Sequence, residues 1–233
     1  MHHQGPTSWL LQIPFLSSDP HYININAAIL VALFLILLGV LFSRILKKDS
    51  TLVPPRRVGL FSVVDVFLDV LYNMVTSVMG HHGKEYYPFI ATIFLYVFFC
   101  NLIGLLPHST SPSADTNLTF ALGICTFVYY NVKGIKAHGL AGYGKHFLMG
   151  LGLFGVPIAL VEMVSHLVRP FSLGLRLFIN LHIDHMLVLS FSSIQAWLVP
   201  VPLMLFGVVV CTIQAFLFAI LTTVYVQMAT EHD

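Results

Sequence analysis

The chain has 233 residues, of which 57% are hydrophobic and only 9% are charged. This apolar surplus exceeds what the core of a soluble domain can hide, so the composition predicts a protein embedded in a lipid bilayer. The formal net charge is +1, and no run of Lys and Arg alternates with aromatic residues. We therefore expect no nucleic-acid partner.

The cysteines and paired histidines give no metal-binding pattern. Cys100, Cys125 and Cys211 occur singly within apolar runs, as small buried hydrophobic residues do. His81 and His82 are adjacent, so on a helix they point in different directions, and no third ligand is spaced to join them. We expect neither a metal nor another cofactor.

The first 57 residues predict the orientation of the chain. Residues 1–20 are not basic and lack a cleavage pattern, so we expect them to remain as an extracytoplasmic segment. Residues 20–43 carry no charge, and a membrane-spanning helix needs about 20 residues. Positive charges near a span favour the cytoplasm, which places the N-terminus outside. The basic residues that follow are Arg44, Lys47, Lys48, Arg56 and Arg57.

Residues 58–79 have the pattern of an amphipathic helix. Polar residues recur there at steps of three and four among Leu, Val, Phe and Met, which predicts a polar face. The acidic character of that face favours the membrane interface or a partner surface over anionic lipid. The polar residues are Ser62, Asp65, Asp69, Asn73 and Thr76.

Two further crossings are predicted at residues 86–106 and 118–132. Lys133, Lys136 and Lys145 follow the second of them in what we interpret as a Gly-rich loop. These charges mark that loop as cytoplasmic, which agrees with the orientation set by the first basic cluster.

The last two apolar regions are residues 157–191 and 202–228. Counting crossings places the C-terminus in the cytoplasm. The whole chain, residues 1–233, is thus predicted to be one all-α membrane domain with about five transmembrane helices and one amphipathic interfacial helix.

Six polar residues in region 157–191 recur at steps of four, three, seven, four and four. At 100° per residue they deviate by at most about 40° from one line, so they form a polar stripe on one helical face. The stripe covers roughly 33 Å, close to the hydrocarbon thickness of about 30 Å. It consists of Glu162, His166, Arg169, Arg176, Asn180 and Asp184.

Among the residues of the polar stripe, Arg176 is the one for which a purely structural role is the weakest explanation. Glu162 and Arg169 can snorkel to the interface, and His166 can be hydrogen-bonded between helices. Arg176 lies about two turns further in, and a guanidinium stays protonated. An ionisable group at this depth needs pairing or hydration, so we expect water or another subunit to supply its partner.

Segment 169–180 reads RPFSLGLRLFIN, which closely resembles the K/R-P-x-S-L-x-L-R-L-F-x-N signature of subunit a of F-type ATP synthases. Three more segments resemble family motifs in the same order: NLIGLLP at 101–107, PSADTNLT at 112–119 and IQAF at 213–216. Residues 225–231 also fit. The resemblance covers nearly the whole chain after about residue 20.

The resemblance implies a fold and a set of partners. It implies a crossing helix, a membrane-surface helix, two further crossing helices and a long tilted hairpin, residues 157–228, against the ring of c subunits. The other implied partners are the b subunits of the peripheral stalk and, through the stalk, the F1 sector. The subunit would be non-catalytic and would lie in a bacterial inner membrane.

The resemblance also implies roles for individual residues. Arg176 matches the family's essential arginine, which lowers the pKa of each passing c-subunit carboxylate and separates two proton half-channels. Glu162 matches the acid of the cytoplasmic half-channel, and Asn180 and Gln214 match polar neighbours of the arginine. His166 is a candidate relay, and a structural role for it is equally open.

One departure concerns the outer half-channel. The family has Glu or His nine residues after the arginine, and His185 stands there in this chain. The mitochondrial type pairs that His with a Glu in the last helix, whose place is taken by Gly207. We hypothesise that Asp184 supplies the missing carboxylate, with His185 and His182 beside it.

Two alternatives remain at the level of the sequence. A sodium-translocating version of the same subunit differs mainly in its c subunit. An ion-coupled secondary transporter would also place Arg and Glu in the membrane, but it usually has repeated halves, and no second half repeats region 162–184.

Overall fold

A computed structural model describes residues 23–48, 60–80, 83–105, 115–148, 155–192 and 200–230. The predicted segment 1–20 lies outside these residues, as do Arg56, Arg57, His81 and His82. The described part consists of α-helices: α1 Ile23–Lys48, α2 Leu60–Met79, α3 Gly83–Gly104, α4 Thr116–Leu148, α5 Gly155–Ser192 and α6 Pro200–Thr230.

Four of these helices are long and apolar enough to cross a membrane within the described part of the chain. The candidate spans are Asn24–Leu41, Gly83–Gly104, Thr116–Gly139 and Pro202–Thr230. The prediction of an all-α membrane protein is thereby confirmed. Helix α5 has 38 residues and is also long enough to cross, although it is not among these four spans. Its crossing stays a prediction.

The predicted Gly-rich loop after residue 132 is wrong, because Lys133, Lys136 and Lys145 all lie on α4. The helix passes through Gly134, which is buried, because one interior glycine costs a helix only about 1 kcal/mol. The actual break comes at Gly139, whose φ of 71° is left-handed and divides α4 into two helical segments. Lysine and glycine content alone was a poor guide to the end of this helix.

The chain divides into two compact units, of which the first holds residues 1–112 and 208–219. In it α2 packs on α3, and the Tyr87 hydroxyl donates a hydrogen bond to the carbonyl of Leu68 at 3.1 Å. Helix α1 also packs on α3, where the Phe34 and Phe99 rings meet edge to face at 5.6 Å. Helix α2 ends at Gly80, whose φ of 60° suits a glycine C-cap.

Helix α2 has the two faces that its sequence predicts. Leu71, Val75 and Met79 follow one another at four-residue steps and are buried. Asp65 and Asp69 are exposed on another face. An exposed acidic face on a helix that packs on its neighbour fits an interfacial position, which stays a prediction.

The second unit holds residues 113–207 and 220–233. Helix α4 begins after Asp115, whose carboxylate accepts a hydrogen bond from the backbone N–H of Asn117 at 2.9 Å, as a helix N-cap does. Helices α4 and α5 share the most extensive helix–helix interface in the described part of the chain. Helix α4 is therefore the main support of the helix that bears the polar stripe.

Candidate functional site

The polar stripe lies on α5 beside the row of residues that is buried. Leu173, Leu177 and Leu181 are at most 3% exposed, and they follow at four-residue steps. At 100° per residue the centre of this row lies about 60° from the centre of the polar stripe. On the far side of the stripe, large apolar residues such as Ile179 and Ile183 are exposed. The stripe thus borders both a packed face and an open apolar face.

Glycines let the backbones of α4 and α5 approach closely at two points. A Cβ on Gly123 would lie 2.5 Å from the carbonyl oxygen of Pro170. A Cβ on Gly174 would lie 3.0 Å from the carbonyl oxygen of Thr119. Small residues at such crossings are typical of membrane helices, where close packing drives association. The second crossing is two residues from Arg176, so it fixes where that part of α5 lies.

His166 sits in a polar and aromatic cluster between α4 and α5. Its Nε2 lies 3.0 Å from Asn131 Oδ1 and 3.5 Å from the Tyr130 hydroxyl. The Phe127 and Tyr130 rings pack against the imidazole at centroid distances of 5.2 and 5.1 Å. The structure therefore gives His166 interhelical partners.

Arg169 contacts α6. Its guanidinium lies over the Tyr225 ring, 5.1 Å from the centroid, which is cation–π geometry. Tyr225 in turn meets Tyr130 of α4 at 5.9 Å. Arg169 is thereby held by protein contacts on the second unit's own helices.

Arg176 contrasts with Arg169. Its side chain is exposed on α5, and within the described residues no hydrogen bond, ion pair or ring contact engages it. A permanent cation that has no partner among the described residues, on a helix of this length, fits a site completed from outside the chain.

The remaining predicted site residues are distributed as follows. Asn180 and Asp184 are half-buried on the stripe, and His182 is exposed and stacks on the Phe178 ring at 5.5 Å. Glu162 and His185 lie on the backbone of α5, but their side chains are outside the described part. Gln214 is 5% exposed on α6 and belongs to the first unit, so its place beside the arginine remains what the resemblance implies.

Sequence reasoning missed Tyr130 and Asn131. Both lie near the end of the mostly apolar run 118–132, whose hydropathy predicts only a crossing helix, and Tyr130 is 1% exposed. A buried tyrosine needs a partner for its hydroxyl, and the Tyr–Asn pair at the end of an apolar run was the available signal.

Comparison with known protein families identifies the family of the chain. Residues 27–227 match the model of the family described as ATP synthase A chain. The chain belongs to the ATP synthase A chain family. This confirms the family that the sequence motifs indicated, and with it the association with ATP synthesis and ion transport.

Curated relatives of the ATP synthase A chain family agree over most of the length. The chain is 38% identical over 188 residues to ATP synthase subunit a of Bdellovibrio bacteriovorus, which covers 80% of this chain and 82% of the relative. It is 42% identical over 203 residues to ATP synthase subunit a 3 of Pelobacter propionicus, covering 87% and 85%. With subunit a of Trichlorobacter lovleyi it is 36% identical over 231 residues, covering 95% and 97%.

Within this ATP synthase family the matched region includes all of α2 to α5 and most of α1 and α6. The polar stripe and both glycine crossings therefore lie in the part of the chain that the family shares. The described residues contain no group of three or more His, Cys, Asp or Glu arranged to hold a metal ion.

Proposed function

We propose that the chain is the stator a subunit of a rotary ATP synthase and passes protons to and from a ring of c subunits. The observation that carries this proposal is Arg176, an exposed cation with no internal partner in the described part of α5. In a subunit of this family, the matching anion is a carboxylate of the rotor. The a subunit itself is non-catalytic, since it moves ions and leaves ATP chemistry to the F1 sector.

The proposed mechanism is electrostatic. A rotor carboxylate that passes Arg176 is favoured in its charged form, because an adjacent cation lowers the pKa of an acid. It releases its proton to the cytoplasmic half-channel, where Glu162 stands, and is reprotonated from the outer half-channel. The fixed charge blocks direct passage between the two half-channels in a low dielectric. A membrane potential supplies about 2.3 kcal/mol per proton per 100 mV.

The proposal includes the surroundings of the subunit. Arg44 at the end of α1 and Lys136 on α4 are exposed, which supports a cytoplasmic side for both helix ends. The N-terminus would then lie outside and the C-terminus inside a bacterial inner membrane. The b subunits of the peripheral stalk would hold the chain against the rotating ring, and lipid would cover its remaining apolar faces.

For the outer half-channel we propose Asp184 as the proton-carrying carboxylate, with Asn180 one turn away on the same stripe. Its half-buried position on α5 supports this role, because a relay must be reachable by water and yet lie beside the rotor path. Gly207, where the mitochondrial type has a carboxylate, is buried on α6 and has no side chain to transfer protons.

The proposed function is tested by purification from membranes. The tagged chain should copurify with c subunits, b subunits and the soluble ATPase, and the reconstituted complex should make ATP when a proton gradient is imposed. A chain that purifies alone and exchanges a small solute across vesicles would contradict the proposal and favour a secondary transporter.

Asp184→Asn is expected to lower proton-driven ATP synthesis in inverted vesicles by at least about tenfold, since a positioned proton-transfer group contributes roughly 10²- to 10⁴-fold to a rate. The amide keeps the size of the side chain but cannot bind and release a proton as the carboxyl group does. Asp69→Asn, on the exposed face of α2, is the matched control and should leave synthesis unchanged. Unaltered synthesis in the Asp184 variant would remove this assignment.

A further inference from the structure

Helix α5 contains a local weak point between His166 and Pro170. Pro170 is inside the helix and buried. It has no backbone N–H, so α5 lacks the hydrogen bond that position 170 would donate to the carbonyl four residues earlier. The segment joins the turn that bears Glu162 to the turn that bears Arg176. Any change of angle at this point would alter how those two residues are placed relative to each other.

Three tertiary contacts converge on this five-residue segment. His166 meets Asn131 of α4, Arg169 lies over Tyr225 of α6, and Pro170 touches the backbone of α4 where Gly123 leaves room for it. The segment is thus held from two neighbouring helices at the place where its own hydrogen bonding is incomplete.

The hydrogen-bond pattern assigns the direction of the His166 contact. Asn131 Nδ2 donates to the carbonyl of Phe127 at 2.7 Å, so its Oδ1 is the acceptor that faces His166. The imidazole must therefore carry a proton on Nε2 and donate it at 3.0 Å.

This arrangement makes a poor proton relay. A relay accepts a proton on one side and passes it on at the other, whereas an amide oxygen does not take up a proton near neutral pH. The second group near Nε2 is the Tyr130 hydroxyl, and the oxygen of a neutral phenol is no stronger a base than an amide oxygen. Neither of these two groups of α4 takes up a proton from the imidazole near neutral pH.

We propose that His166 is a positioning residue: its hydrogen bond to Asn131 clamps the proline-containing turn of α5 to α4 and so fixes the placement of Glu162 relative to Arg176. The inference rests on the proposed function, because it gives the clamp a purpose in proton translocation. It assigns His166 a structural role that serves proton translocation by positioning other residues, in place of the role of proton relay.

The test uses the complete ATP synthase in membrane vesicles, with ATP synthesis expressed per assembled complex. His166→Leu and Asn131→Leu should each lower proton-driven synthesis roughly three- to twentyfold, the range that corresponds to measured interhelical hydrogen bonds in membranes. The double variant should be no worse than either single variant, because both remove one interaction. His166→Gln should restore most of the activity, since its amide N–H can donate to Asn131 but cannot titrate.

The controls separate the clamp from a proton relay and from a general loss of folding. Val132→Leu changes the neighbouring exposed position of α4 and should leave synthesis unchanged. If His166→Leu fails to assemble, the Gln and Asn131 variants still decide the question. His166→Gln as defective as His166→Leu, or Asn131→Leu with normal synthesis, would overturn the clamp and favour a relay. Failure of the unaltered complex to make ATP from a gradient would instead refute the proposed function.

Discussion

Arg176→Ala is expected to abolish ATP synthesis driven by a proton gradient, while protons still cross the membrane sector passively. At about 4 Å and an effective dielectric of about 20, a guanidinium stabilises a carboxylate anion by about 4 kcal/mol. At about 1.4 kcal/mol per unit, this equals about three pKa units. Without it the rotor carboxylate keeps its proton as it passes, and no fixed charge separates the half-channels.

The measurement compares two rates in vesicles that contain equal amounts of assembled complex. One is ATP synthesis under an imposed gradient, and the other is passive proton uptake after removal of the soluble sector. Arg176→Lys keeps a positive charge and should retain more coupling than the alanine variant, although an ammonium can lose its proton when desolvated. Arg44→Ala removes the same charge from an exposed position of α1 and should have no effect. Normal synthesis by assembled Arg176→Ala complexes would contradict the mechanism.

Gly123→Ala is expected to destabilise the pairing of α4 with α5 more than any other alanine substitution of a described glycine. The added Cβ would lie 2.5 Å from the carbonyl oxygen of Pro170, a separation that requires the backbones to move apart. Overpacking of this kind costs typically 1–3 kcal/mol, and here the obstructing atom cannot rotate away. The amount of chain assembled into the complex and the temperature at which the complex dissociates should both fall.

The glycines of this chain supply a graded series of controls. Gly174→Ala should have a smaller effect, since its Cβ would lie 3.0 Å from the Thr119 carbonyl oxygen. Gly39 of α1 has nothing within 4 Å, and alanine favours a helix over glycine by about 1 kcal/mol, so Gly39→Ala should be neutral or slightly stabilising. Equal stability of the Gly123 and Gly39 variants would show that the helix crossing is not as close as described.

The Arg176 and Gly123 substitutions distinguish a loss of proton coupling from a loss of helix packing. Arg176→Ala should leave assembly intact and remove coupling, because the residue has no internal partner in the described part of the chain to lose. Gly123→Ala should lower assembly first, because it acts on the interface that supports α5. The His166 and Asn131 variants are expected to lose only part of the ATP synthesis per assembled complex. They retain Arg176 and remove one hydrogen bond that holds α5 to α4.

Helix α5 combines a length of 38 residues with polar and charged residues that interrupt its apolar sequence. Hydropathy alone is therefore a weak guide to this helix. The spacing of Glu162, Arg176 and Asp184 nevertheless revealed the helix, because a 3.6-residue period survives such interruptions.

The sequence by itself determined most of the helices, the membrane as solvent and the place of Arg176 on a polar helical face. Hydropathy, helical period and charge are properties of residues that are neighbours along the chain, and they need no knowledge of distant contacts. The same information misplaced the end of α4, because a glycine breaks a helix only where its backbone adopts the left-handed conformation seen at Gly139.

Only the tertiary structure decided which helix supports the polar stripe and what holds His166. Asn131 lies 35 residues before His166, and the sequence around either residue does not indicate the other as its partner. Gly123 matters because the carbonyl of Pro170 lies opposite it, which is a relation between two backbones and not a property of either residue. Contacts between helices depend on distances in space, and hydropathy along the chain does not encode them.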